Sequence, residues 1–271
     1  MIIDFSNYGE LLPLVSNSLL AAALLGLLGG LVGIFVMTRD MSFAVHGISE
    51  LSFAGASIAL LCSIDVVTGS IIGSLVAAMI VGVLGAKAKD RNSIVAVLMP
   101  FGLGLGILAL ALYQGRAANK FGLLTGQIVS VDSGQLGWLT IIAAIVLATL
   151  VVVWRPLTFA SLDPEVAAAR GVNTRALSVV FLVVLGLTVA ASVQVVGALL
   201  VLSLLVTPAA AALRVTSSPK LAPVLSVLFA LIAAVGGVFL ALGSSLPISP
   251  YITTISFVIY VICRIVAKVQ K

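Results

Sequence analysis

Apolar runs of bilayer length follow one another along nearly the whole chain, and this recurrence restricts the fold more than any single residue does. A membrane-crossing helix needs about 20 mainly apolar residues. Runs of that kind occupy 11–37, 43–63, 66–86, 93–113, 136–154, 177–194, 196–213, 221–242 and 248–267. Backbone amides in hydrocarbon must be satisfied within the protein, which turns such runs into helices. The expected fold is therefore an all-α polytopic bundle of eight or nine transmembrane helices, forming one domain over residues 1–271. The uncertainty in number lies around Gln194 to Gly197, where one of the two adjoining runs is expected to be short or broken.

Composition agrees with this reading. The chain is 62% hydrophobic and only 8% charged, against roughly 25% charged in soluble domains. No soluble segment is large enough to bind a nucleotide. The 14 Lys and Arg outnumber the 9 Asp and Glu, but they are scattered between apolar runs. They read as topology anchors in a bilayer, with no nucleic acid as partner. If the runs alternate in direction, Arg39, Lys87, Lys89, Arg91, Arg155, Arg170, Arg175, Arg214 and Lys220 share one side, joined by Arg264, Lys268 and Lys271. The other side holds Asp4, Glu10, Asp65 and Asp132, with Arg116 and Lys120. The positive-inside rule then puts the N-terminus outside and the C-terminus in the cytoplasm, which requires an odd number of crossings. Met1 to Glu10 is acidic and lacks the basic start of a cleavable signal peptide. Cys62 and Cys263 are far apart and outline neither a metal cluster nor a disulfide framework.

Within the second run, His46 and Glu50 stand at i, i+4 and so share one helical face. An ionisable residue at membrane depth is costly and is usually kept for an ion or substrate path. Imidazole and carboxylate are also natural ligands of first-row metals. Measured from the cytoplasmic end of the run, the pair lies about 10 to 16 Å along the helix, near mid-membrane. Ser42, Ser49 and Ser57 fall near the same face and extend the candidate pathway. The competing reading is a helix–helix hydrogen-bond patch. Two ligands leave a metal shell incomplete, so waters, carbonyls or a second copy of the helix must supply the rest.

A second feature is a short cytoplasmic helix between two runs. Asp163 suits the N-cap, Pro164 the first position, Glu165 the first turn, Arg170 the last turn and Gly171 the position after the cap. So short a helix is marginal alone and must dock on something. Third, Thr207 and Pro208 interrupt the late apolar run, a candidate kink and gate. Fourth, the outer segment Phe121 to Asp132 is glycine-rich and suits a re-entrant or surface stretch. Glycines spaced as GxxxG (Gly26/Gly30, Gly29/Gly33, Gly69/Gly73, Gly102/Gly106) predict tight helix packing, within the chain or in a dimer. No GxxxxGK[ST], HExxH or GxSxG motif is present, so the chain shows no phosphate-binding loop and no common hydrolase site.

These features together resemble the membrane permease subunit of bacterial zinc/manganese ABC importers, the metal ABC-3 type family, over about residues 15 to 265. The resemblance rests on the stretch Arg39 to Gly55, the segment Phe121 to Asp132, the helix Leu162 to Gly171, and Gly197 to Ala212 with its Pro-Ala-Ala. It implies a homodimeric pore in the cell membrane, a separate cytoplasmic ATPase held through Asp163 to Gly171, an extracytoplasmic metal-binding protein, and import of Mn²⁺ or Zn²⁺. It implies no permanent cofactor and no catalysis by this chain. The family usually carries aspartate at the position of His46 and histidine at that of Glu50, so this chain has the pair in exchanged order. The carboxylate oxygen leans the choice of metal slightly to manganese. A secondary metal/proton carrier using His46 and Glu50 as a relay is the main alternative; a membrane scaffold without transport is the other.

Overall fold

The computed structural model describes residues 15–85, 88–115, 123, 131–198, 201–242 and 248–269. Eleven helices lie among them: α1 Ser16–Thr38, α2 Ser42–Leu61, α3 Val66–Leu84, α4 Ala88–Leu112, α5 Ser133–Leu162, α6 Pro164–Ala169, α7 Thr174–Val196, α8 Val201–Leu205, α9 Thr207–Val215, α10 Leu221–Leu242 and α11 Ile248–Val269. Eight of these are long and apolar enough to cross a membrane; α6, α8 and α9 are not. The expected outer segment, Phe121 to Asp132, lies outside the described residues except for Leu123, Val131 and Asp132.

Of the two runs adjoining Gln194 to Gly197, 196–213 is the broken one. Gly197 leaves the end of α7 with φ 90°, a left-handed value that a side chain would strain. The chain then forms the five-residue α8, breaks at Val206, and restarts as α9 with Pro208 in its first turn. There proline's missing N–H leaves no helical bond unmade. The run expected at 136–154 also differs, continuing to Leu162 through Arg155 and Pro156 as a 30-residue helix.

The direction of each element follows from its partners. Arg39 at the end of α1 reaches Ser178 near the start of α7, so both belong to one end of the bundle. Gly26 faces Leu231 and Gly30 faces Val227, which makes α10 antiparallel to α1 and starts it at that same end. The Ser249 hydroxyl at the start of α11 donates to the Val196 carbonyl at the far end of α7. The broken segment α8–α9 therefore runs back from that far end toward the end where α10 starts.

Small residues set how closely these helices approach. On α1, Gly26 and Gly30 receive α10, and the Ser226 hydroxyl donates to the Gly30 carbonyl at 2.8 Å. The neighbouring pair Gly29 and Gly33 lies against the Leu204 and Leu205 carbonyls of α8. Gly55 of α2 meets Gly69 and Gly73 of α3, while Gly102 and Gly106 of α4 lie against Glu50 to Ala54. All four GxxxG pairs are thus used inside this chain, and they say nothing about a second copy. Helices α1, α2 and α7 are the most enclosed, whereas α4, α5 and α11 expose Phe101, Val152 and Phe257 on the outside of the bundle.

Candidate metal site

Helix α2 starts from a turn without slack. Asp40 adopts φ 51°, its N–H donates to the Met37 carbonyl, and the Met41 N–H donates to the Val36 carbonyl. This paired closure satisfies the last carbonyls of α1. Ser42 then opens α2, and its hydroxyl contacts the Met37 sulfur at 3.3 Å.

One turn on, His46 Nε2 lies 3.8 Å from Glu50 Oε1, with the two side chains 24% and 3% exposed. That separation is too long for a hydrogen bond. Glu50 Oε2, His46 Nδ1 and the Ser57 hydroxyl are all buried without a hydrogen-bond partner. A carboxylate removed from water is costly unless paired, and most buried polar atoms do find partners. A metal cation would meet the need of both side chains at once. Gly102 of α4 backs the Glu50 main chain so closely that an added Cβ would come within 2.9 Å of the Glu50 carbonyl carbon. Among the described residues no group of three or more His, Cys, Asp and Glu comes together. The described chain therefore brings only His46 and Glu50 together here, and His46 is the partly open side of the pair.

Ser49 points elsewhere. Its hydroxyl donates to the Ala198 carbonyl at 2.7 Å, fastening α2 to the irregular backbone just after α7. Ser52 is a polar anchor that the sequence does not single out. Its hydroxyl bonds the Ser70 carbonyl at 3.1 Å and the Ser70 hydroxyl at 2.7 Å. Only its i+3 spacing from Ser49 hinted at a role. Thr207 and Pro208 stand together in the first turn of α9.

At the end of the bundle opposite Arg39, a cavity of about 460 Å³ opens between Asp65, Asp132, Gln135, Trp138 and Gln194. Both acids also cap helices: Asp65 accepts from the Thr68 N–H and hydroxyl, and Asp132 from the Gln135 N–H. At the Arg39 end, Asp163 caps α6 through the Val166 N–H at 3.0 Å, Pro164 holds the first position and Glu165 the first turn. Arg170 is the C-cap itself, one position beyond the expected last turn. Gly171 follows at φ 83°, with its N–H on the Ala168 carbonyl and that of Val172 on the Ala167 carbonyl. Among the residues of α6 only Ala167 is buried, leaving Glu165 and Val166 exposed.

The model of the ABC 3 transport family matches residues 12–267. The manganese transport system membrane protein MntC of Halalkalibacterium halodurans is 27% identical over 227 residues, 83% of this chain and 77% of that protein. The high-affinity zinc uptake system membrane protein ZnuB of Haemophilus influenzae is 23% identical over 246 residues, 90% of this chain and 94% of that protein. Among solved structures, PsaBC from Streptococcus pneumoniae in complex with Fab superimposes with a TM-score of 0.87 at 23% identity, covering 99% of this chain and 100% of that one. The two chains share a fold.

Proposed function

This chain belongs to the ABC 3 transport family, and on that premise we propose that it is the permease subunit of an ATP-driven importer for manganese or zinc. Relatives named for manganese and for zinc support the class of cargo. One observation carries the site: a buried carboxylate, Glu50, with an unpartnered oxygen, 3.8 Å from an equally unsatisfied imidazole at His46. The Arg39 end of the bundle, which gathers the basic residues, faces the cytoplasm, and the cavity at Asp65 and Asp132 faces outward. An extracytoplasmic metal-binding protein delivers the ion there. Two copies of the chain form the pore, with Ser57 beside the His46–Glu50 pair along the path, whereas the Ser49 hydroxyl is taken up by the Ala198 carbonyl.

ATP is hydrolysed by a separate cytoplasmic subunit, and this chain is not an enzyme. The exposed α6, capped by Asp163 and closed by Gly171, is the surface that takes up that subunit's motion. Thr207 and Pro208, at the break between α8 and α9, are where a crossing segment can bend. The carboxylate oxygen and a water-filled shell favour manganese slightly, because hard oxygen ligands without thiolates suit that ion.

Cellular manganese and zinc contents test this reading. A strain lacking the chain is complemented by wild type or by Glu50→Ala at matched membrane abundance. Wild type is expected to restore one metal and the variant neither. Equal restoration by both would remove Glu50 from the path, and no response to wild type would end the importer reading.

A further inference from the structure

The turn that launches α2 is tied to both helices that frame α6. Arg39 Nη2 donates to the Ser178 hydroxyl of α7 at 2.6 Å, and Nη1 to the Ser161 hydroxyl of α5 at 3.3 Å. The guanidinium also lies 5.4 Å from the centre of the Phe181 ring. Ser161 stands in the last turn of α5, just before the Asp163 cap, and Ser178 lies shortly after Gly171. The Ser161 proton is already given to the Leu157 carbonyl at 2.7 Å, so its lone pairs are set to receive Arg39. From the other side, Arg91 of α4 donates to the Arg39 carbonyl at 3.3 Å and the Asp40 carbonyl at 3.1 Å.

As a stabilising device this arrangement is poor. The Nε atoms of both arginines are buried without partners, and among the described residues neither guanidinium has a carboxylate within ion-pair distance. Burial, and next the charge of Arg91, hold the Arg39 guanidinium below its usual range. A planar fork with several donors can nonetheless bridge two helices and stack on a ring, which a lysine cannot do. The turn from Arg39 to Met41 is closed by backbone bonds, so displacement of the guanidinium carries the first turn of α2 with it. His46 lies about two turns further on.

We propose that Arg39 is the positioning residue through which movement of α6 reaches α2 and the His46–Glu50 pair. This rests on the reading that α6 docks an ATPase. The test uses the chain assembled with its ATPase partner in proteoliposomes, comparing wild type, Arg39→Gln, Arg39→Lys and the double variant Ser161→Ala/Ser178→Ala. Four quantities are read: ATPase retained, thermal stability, ATP hydrolysed, and manganese or zinc moved per ATP. The expected result is wild-type retention and hydrolysis, with metal per ATP reduced at least about tenfold in Arg39→Gln and severalfold in the double variant. Lysine is expected not to restore it. An unchanged metal-per-ATP ratio overturns the proposal, as does a loss matched by equal losses of retention and thermal stability. Should Arg39→Gln fail to fold, the double variant decides by the same ratio. A wild-type chain that retains no ATPase would overturn the underlying reading and the proposal with it, and so is distinguished from a wild-type complex whose variants remain coupled.

Discussion

Two faces of α2 are equally buried and oppositely treated. On one face, Ser49 and Ser52 are fully enclosed and bonded, Ser49 to the Ala198 carbonyl and Ser52 to Ser70, whose own hydroxyl reaches the Ala190 carbonyl at 3.4 Å. On the other, Glu50 and Ser57 are also enclosed, yet Glu50 Oε2 and the Ser57 hydroxyl have no partner, and neither does His46 Nδ1. At about 100° per residue, Glu50 and Ser52 point some 160° apart, and Ser49 stands between them at the border of the two faces, about 60° from His46. Burial alone cannot account for the difference, because both faces share it. The bonded face is helix glue of the kind common in membrane bundles. The unbonded face leaves costly atoms without a protein partner, which is what the proposed ion path would use. Inside a membrane bundle, a buried polar residue is thus weak evidence of function, and an unpartnered one is stronger.

Glu50→Gln tests the contrast where the effect is expected to be largest. The amide keeps the shape and removes the charge. Metal uptake is expected to fall by about 100-fold, since even residues that only support metal ligands cost about 10–100-fold. The thermal midpoint is expected to stay level or rise, because an unpaired buried charge has gone. Uptake by wild type and variant at matched abundance, together with a thermal-shift measurement, checks both. A midpoint that falls in step with uptake would mean that Glu50 belongs to the glue.

How much of this could be read in the chain depended on how local each feature is. The i, i+4 spacing of His46 and Glu50 is a property of one helix, so their meeting was legible. The same holds for α6, whose Asp163, Pro164 and Gly171 signals sit within one short stretch. The glycine pairs predicted close packing, but the partners of the α1 pairs, Leu204 and Val227, lie far away in sequence. The break at Val206 stands beside Thr207 and Pro208, which mark a kink in the sequence, whereas its sharpness is not set by the apolar residues around it. Arg155 and Pro156 look like a helix end, yet α5 continues past them because a single proline removes only one backbone bond. The pairing of Ser52 with Ser70 joins two helices, and neither segment alone carries it.

That pairing is the next place to sharpen the comparison. Ser52→Ala and Ser70→Ala are each expected to cost about 0.6 kcal/mol, and at most about 1.7, the range for such bonds between membrane helices. The double variant is expected to cost less than the sum, because each single change already removes the shared bond. Metal uptake at matched abundance is expected to remain within about twofold of wild type, in keeping with stability effects of about 1 kcal/mol. Reversible unfolding in detergent measures the first quantities and elemental uptake the last. A large loss of uptake with intact stability would place this face on the path too.

Ser57 offers the most discriminating effect, and the smallest expected on stability. It lies on the Glu50 face about two turns toward the Asp65 end, fully buried, with its hydroxyl unpartnered. If that hydroxyl serves only an ion in transit, Ser57→Ala removes a buried unsatisfied group, and stability is expected to hold or improve. Removing one weak oxygen contact from the path is expected to raise the metal concentration for half-maximal uptake by about two- to fivefold, a change of about 0.4–1 kcal/mol. Concentration-dependent uptake and a melting curve on one preparation separate the two effects. A melting point lowered as far as by Ser52→Ala, with uptake unchanged, would give Ser57 a structural partner. The unbonded face would then contract to His46 and Glu50, and the path would have to leave α2 immediately above them.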